Sequence, residues 1–287
     1  MLSLSQAIIL GLLQGFTELF PISSLGHSVL LPSLLGWNIN QHDPAFLVFL
    51  VATHLATALV LIGFYFKDWI LVAQGFLRSL LHRRIDPRDT YARLAWLLVI
   101  ATIPAGLLGL LFQKRFGDLF GSPHLVAVFL IGNGVLLYAI EHRRRRAALS
   151  ATGPAGIDGA IARLSFVQAL RTGTLQALAL FPGFSRTGSA LAGGLFSGLD
   201  HESAARFSFL LATPIILAAA VLKLSVLFTD TSAYPITEII VGMIASGFAA
   251  LFSLLFLTRY FKTHTLMPFA VYCMAAGALS LGIFILQ

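Results

Sequence analysis

The chain has 287 residues, 57% of them apolar and only 11% charged, with a mean hydropathy of +0.88. Soluble domains carry about 25% charged residues, so an ordinary water-soluble globule is excluded and an integral membrane protein is indicated. The net charge of +7 comes from 19 Lys and Arg gathered in short runs between apolar stretches, which reads as topology-setting charge and not as a nucleic-acid footprint.

The N-terminus, MLSLSQAIILGLLQGF, has no Lys or Arg ahead of its apolar run and a Gln within it, a poor fit to a secretory signal peptide. The first apolar region, Leu4 to Leu35, is interrupted by PISSLGH, where proline and glycine break the helical hydrogen-bond ladder. Three stretches of spanning length follow: Phe46 to Phe66, Tyr91 to Phe112 and His124 to Ile140. Between the first two, Asp68 to His82 has the pattern of an interfacial amphipathic helix. A linker rich in Ala and Gly, Ala147 to Ile161, leads to a second interrupted region, Leu164 to Leu199, broken at PGFSRTG. Three more spans, Phe207 to Leu224, Tyr234 to Leu257 and Leu266 to Leu286, complete the chain. The last holds the lone Cys273, expected to be a small buried hydrophobe. The expected fold is therefore an all-α polytopic membrane protein with about six transmembrane helices and two re-entrant helix pairs.

Basic residues orient it. Lys67, Arg78, Arg83, Arg84, Arg88 and Arg93 follow the first span, Arg143, Arg144, Arg145, Arg146, Arg163 and Arg171 follow the third, and Arg259 and Lys262 precede the last. These loops are expected inside, and the opposite loops carry only Lys114, Arg115 and Lys223. The first broken region then dips from outside and the second from inside, with both termini outside. The four-arginine run is read as a topology anchor in preference to a lipid-headgroup site. A shift of about 160 residues lays Gln14 and PISSLG on Gln176 and PGFSRTG, and Phe49, Ala52, Thr53 and Ala58 on Phe209, Ala212, Thr213 and Ala218. Three spans per half is an odd number, so residues 1–146 and 162–287 are expected to form an inverted-topology repeat within one membrane domain, its ligand site where the breaks converge.

Glu18 is the one acidic residue set deep in an apolar stretch, on the same helical face as Gln14. Such a group marks a functional site or, more blandly, a helix-pairing hydrogen bond. Ser23, Ser24, Gly26 and His27 follow Pro21; the serines are helix caps or site residues, and Ser24 and His27 fall one turn apart. In the second break Pro182, Gly183, Phe184, Ser185, Arg186, Thr187 and Gly188 supply a turn, hydroxyls and one Arg. That Arg needs an anionic partner, either Glu18 or a phosphate gripped by its planar fork. Two helix N-termini aimed at one point would add an oxyanion cradle. His54 reads as a satisfied core histidine. Gln176 either lines the site or bonds across helices, and Gly193, Gly194 and Gly198 read as close helix packing. There is no P-loop, zinc motif or HExxH.

The stretch QGFTELFPISSLGH, Gln14 to His27, resembles the (E/Q)GxTEFLPxSSxGH signature of the undecaprenyl-diphosphate phosphatase family of the bacitracin-resistance type. PGFSRTG, Pro182 to Gly188, resembles its second signature, PGxSRSG. Gln14 stands where many members have Glu, and Thr187 replaces the commoner Ser, so a mechanism needing two carboxylates is put in doubt. The resemblance implies a multi-pass enzyme of the bacterial plasma membrane that removes the terminal phosphate of undecaprenyl diphosphate, with two re-entrant pairs, an inverted repeat, a site open to the outer, periplasmic face and a homodimer. By motif position it implies Ser24, His27, Glu18 and Arg186 as essential residues. Gln14, Ser23, Ser185, Thr187, Gly183 and Gly188 would contact the substrate. A divalent cation, Mg2+ or Ca2+, is implied at Glu18 and Gln14 through the diphosphate. The expected chemistry is phosphoryl transfer to Ser24, activated by His27, with attack by His27 or metal-bound water as the alternatives. The rival reading is a transporter or flippase of a polyprenyl phosphate carrier, which needs no nucleophile. A channel or structural subunit would leave Glu18 and Arg186 as a buried ion pair.

Overall fold

The computed structural model describes residues 2–119, 122–147, 156–228 and 234–286, without the side chains of 113–119 and 145–147. The side chains of Lys114, Arg115, Arg145 and Arg146 and most of the linker thus lie outside the described residues. Helix α1, Leu4–Leu19, starts at a capping box in which Ser3 accepts from the Gln6 amide and Gln6 answers to the Ser3 amide. It stops at Phe20, which is extended because Pro21 disfavours helical backbone at the residue before it. Helix α2, Ser24–Leu34, completes the first hairpin, and α3, Pro44–Phe64, follows with Asp43 as N-cap and Pro44 in the first turn. Then come α4, Phe66–Leu81, α5, Thr90–Leu119, kinked at Phe112, and α6, Pro123–Ala147.

The second half begins after the short α7, Ile157–Ala162. Helix α8, Phe166–Gln176, opens with the same device as α1, a capping box of Ser165 and Gln168. A single 3-10 turn, Ala177–Leu180, and the break lead to α9, Arg186–Phe196. The chain ends with α10, His201–Leu224, α11, Ile236–Tyr260, and α12, Met267–Leu286. The order of a broken hairpin followed by three long helices thus occurs twice. Among the described residues six helices are long and apolar enough to cross a membrane, and they coincide with the six expected spans. The boundaries differ most at three ends: α10 starts at His201, ahead of Phe207, α5 runs on past Phe112 to Leu119, and α6 runs on through the arginine run. All three extensions are polar helix ends, which hydropathy alone cannot register. The expected all-α polytopic fold is the one observed.

The two halves interlock. Helix α1 packs along α11 and α8 along α5, while α6 lies on α12 and α3 on α10 and α11. The α1 to α11 seam depends on small residues: a Cβ on Gly15 would run into the Ser246 carbonyl, and one on Gly11 into the Gly242 carbonyl. Gly15→Leu is therefore expected to lower stability by about 1–3 kcal/mol through forced separation of these helices. Gly63→Leu, which meets open space, is the control. Thermal melting of the detergent-solubilised variants checks this; equal midpoints would contradict it. Gly193 and Gly194 do serve close packing, against Thr172 and Ala204. Gly198 does not: it has φ +97°, nothing within 4 Å of its Cβ position, and serves the turn after α9.

Large apolar side chains cover the outside, among them Phe248, Leu111, Val221, Ile244 and Leu279. Helix α4 buries Val72, Gly75 and Ser79 against α5 and exposes Phe66, Ile70, Leu77 and Leu81. Arg206 of α10 pairs with Asp158 of α7 at 2.7 Å and Asp68 of α4 at 3.0 Å, tying both short helices to the bundle.

Candidate active site

The two breaks meet inside the bundle. Ser23, with φ 72° and ψ 97°, caps α2 by accepting from the Gly26 amide at 3.2 Å. Ser185 caps α9 by accepting from the Gly188 amide at 3.0 Å. Between the caps the hairpins are bonded directly. Thr187 Oγ1 donates to the Glu18 carbonyl at 2.8 Å, and Ser185 Oγ donates to the Phe20 carbonyl at 3.4 Å. Asn133 of α6 fastens both: its Nδ2 donates to the Pro21 carbonyl at 2.9 Å and its Oδ1 accepts from the Ser185 amide at 3.1 Å. Glycines stand where the backbones are closest. Gly183, at φ +116°, sits against Val126 and Leu130 of α6, and Gly26 lies against Gly183.

A small hollow results, lined by Glu18, Ser23, Ser24, Leu25, Ala179, Phe184, Ser185 and Arg186. The first turns of α2 and α9 both border it, and first-turn amides have no partner within their own helix. The carboxylate of the buried Glu18 is the hub. Its Oε2 accepts from Ser24 Oγ and faces His54 Nε2 at 3.0 Å; its Oε1 accepts from Arg186 Nη1 at 3.2 Å. Ser24 Oγ is also 3.3 Å from His54 Nε2. A buried carboxylate must be paired, and here three donors surround it. Arg186 is the more accessible partner, its side chain 19% exposed against 3% for that of Glu18.

Ser24, Glu18 and Arg186 are thus brought together, with Ser23 and Ser185 at the rim as caps and Thr187 holding the Glu18 backbone. His27 is not with them. Its Nδ1 donates to the Ser23 carbonyl at 2.6 Å, and its Nε2 accepts from the Tyr272 hydroxyl of α12 at 2.8 Å. Helical side chains lean toward the preceding turn, so the ring folds back onto the carbonyl four residues earlier, and neither nitrogen bonds Ser24. The histidine beside Ser24 is His54, which the sequence alone classed as core. Gln14 also points elsewhere: its Oε1 accepts from Ser246 and Thr57. Gly183 and Gly188 shape the break and do not line the hollow. Among the described residues Gln176 neither lines the hollow nor bonds to a neighbour. Cys273 is buried as expected and accepts from Asn133 at 3.3 Å.

A family model described as Bacitracin resistance protein BacA matches residues 7–279, nearly the whole chain and both breaks. The chain belongs to the bacitracin resistance protein BacA family. Like other members, it is a multi-pass integral membrane protein. This BacA chain is 46% identical to the Undecaprenyl-diphosphatase of Mycolicibacterium paratuberculosis, over 98% of its own length and 97% of the relative's. It is 43% identical to Undecaprenyl-diphosphatase 2 of Burkholderia ambifaria over 100% and 99% of the two chains. With Undecaprenyl-diphosphatase 2 of Frankia alni the identity is 41%, over 96% of each.

Two residues that organise this BacA site are not among the expected site residues. Asn133 is a lone carboxamide inside a span, flanked by Gly132 and Gly134, and His54 a lone imidazole inside another. The rule that singled out Glu18, that a polar group at such depth needs a partner, applies to both. What the sequence lacked was the partner's identity.

Proposed function

We propose that this protein removes the terminal phosphate of undecaprenyl diphosphate, releasing inorganic phosphate and the C55 monophosphate carrier for reuse in cell-wall polymer synthesis. The names of its relatives support that substrate. The observation that carries the reaction is the Ser24 hydroxyl held on the buried Glu18 carboxylate at the start of a helix, with Arg186 across the same hollow. A carrier protein needs no such hydroxyl and carboxylate pair, which favours hydrolysis over transport.

In the proposed reaction Ser24 Oγ bonds the terminal phosphorus while its proton passes to Glu18 Oε2. The bond from that phosphorus to the bridging oxygen breaks, and the electron pair leaves on undecaprenyl phosphate. Water then attacks the phosphoserine. Glu18 returns a proton to Ser24 Oγ and takes one from the water, phosphate departs, and the surplus proton goes to solvent. Arg186, released from Glu18 Oε1, forks onto phosphoryl oxygens, with the first-turn amides of α2 and α9 completing the cradle. His27 supports the loop: it holds the Ser23 carbonyl and ties it to α12.

The chain does not fit a protein-built metal centre. Glu18 is filled by Ser24, His54 and Arg186, Gln14 is bonded to Ser246 and Thr57, and no group of three His, Cys, Asp or Glu among the described residues is arranged to hold an ion. Mg2+ or Ca2+ is proposed only as a counter-ion carried by the diphosphate, and no step runs through it. We further propose that both hairpins are re-entrant, that the halves are related by inverted topology, and that the enzyme is a homodimer of the bacterial plasma membrane with its site toward the periplasmic face. Purified protein given undecaprenyl diphosphate with Mg2+ or Ca2+ is expected to release one phosphate per lipid, and less with chelator. No release under any ionic condition would refute the reading.

A further inference from the structure

The proton count around Glu18 assigns a state to His54. Its Nδ1 lies 2.6 Å from the Leu50 carbonyl, and since a carbonyl oxygen can only accept, that nitrogen carries a proton. Its Nε2 lies 3.0 Å from Glu18 Oε2. Both carboxylate oxygens already accept, Oε1 from Arg186 and Oε2 from Ser24, as an ionised carboxylate does, so the proton between Nε2 and Oε2 is carried by the imidazole. His54 is therefore a donor at both ends, anchored to its own helix by one nitrogen and holding the carboxylate with the other. The same Nε2 is 3.3 Å from Ser24 Oγ. Around Glu18, Arg186 of α9 takes Oε1, while His27 of α2 is committed to Ser23 and Tyr272. Helix α11, also packed on α3, brings the hydroxyl of Ser246 to the Thr53 carbonyl, one residue before His54.

We infer that His54 is a positioning residue for the reaction: its Nε2 proton fixes Glu18 Oε2 in the orientation from which that oxygen takes the Ser24 proton. Arg186 cannot do this alone. It holds Oε1, and the phosphate draws it away when substrate arrives. The carboxylate then keeps one fixed donor, His54, which is buried and tethered through Leu50. The role rests on the phosphatase reading above and adds to it a residue that neither signature motif contains.

The test separates donation from packing. His54→Leu fills much of the volume without a donor; His54→Gln keeps an N–H able to reach Glu18. Each purified variant, checked for folding by gel filtration and melting, is assayed for kcat and KM on undecaprenyl diphosphate. Each is also assayed for the rate at which a fluorophosphonate probe labels Ser24, which needs no lipid substrate. His54→Leu is expected to lose about 100-fold in kcat and in labelling with KM little changed, and His54→Gln to stay within about tenfold of the parent. Near-parental rates in His54→Leu overturn the inference, as does a folded His54→Gln as impaired as the leucine variant, or a parent protein not labelled at Ser24. If the parent is labelled, and labelling falls with Leu and returns with Gln, yet no phosphate is released, the substrate reading fails while the role of His54 stands. Should His54→Leu not fold, the glutamine variant carries the test: loss of labelling in it refutes donation, and retention supports it.

Discussion

Ser24→Ala is expected to abolish turnover, lowering phosphate release by about a thousandfold or more while leaving the fold intact. This is the only hydroxyl bonded to the Glu18 carboxylate among the described residues, and its removal takes away the atom to which phosphate is transferred. The fold should tolerate the change, because Glu18 keeps His54 and Arg186 as donors and α2 keeps its cap at Ser23. Acid quenching during turnover with lipid labelled in its terminal phosphate is expected to trap an acid-stable phosphoserine at Ser24 in the parent and nothing in the variant. An acid-labile adduct would move the nucleophile to a histidine, and the absence of any adduct would favour direct attack by water.

The second large effect is at Arg186. Arg186→Ala removes the group that meets the phosphoryl oxygens, and kcat/KM is expected to fall by about a thousandfold, the scale of losing a charged transition-state contact. Arg186→Lys restores the charge without the planar fork, so it is expected to recover only part of that loss. Stability should fall less than activity. The Arg186 side chain is partly exposed, and Glu18 retains a buried partner in His54, so the alanine variant is expected to lose about 1–3 kcal/mol. Parallel measurement of kcat/KM and melting temperature decides: a variant that melts early yet turns over normally would reduce Arg186 to a structural ion-pair partner.

Most of the architecture was legible in the chain itself. Spans announce themselves by length and apolarity, and the two breaks by Pro21 and Pro182, whose effect on the preceding residue is local. The importance of Glu18 and Arg186 follows from the cost of a charge in an apolar stretch, and their mutual need for a partner pointed to the pairing that the fold makes across 168 positions. Ser24 was open to two readings, cap or site residue. It turned out to be the first residue of α2 while Ser23 is the cap, a difference of one position that helix propensity does not resolve.

Composition, hydropathy and the two signatures determined the membrane class, the number of spans, the location of the breaks and the family, because each depends on residues near one another in sequence. Which histidine faces Ser24 was decided only by tertiary packing. His27 is three residues away but turns back to Ser23, whereas His54 is 30 positions distant and is delivered by α3. Asn133, joining both breaks from a third helix, belongs to the same class. Periodicity says which face a side chain occupies; only the packing of helices against one another says what that face meets.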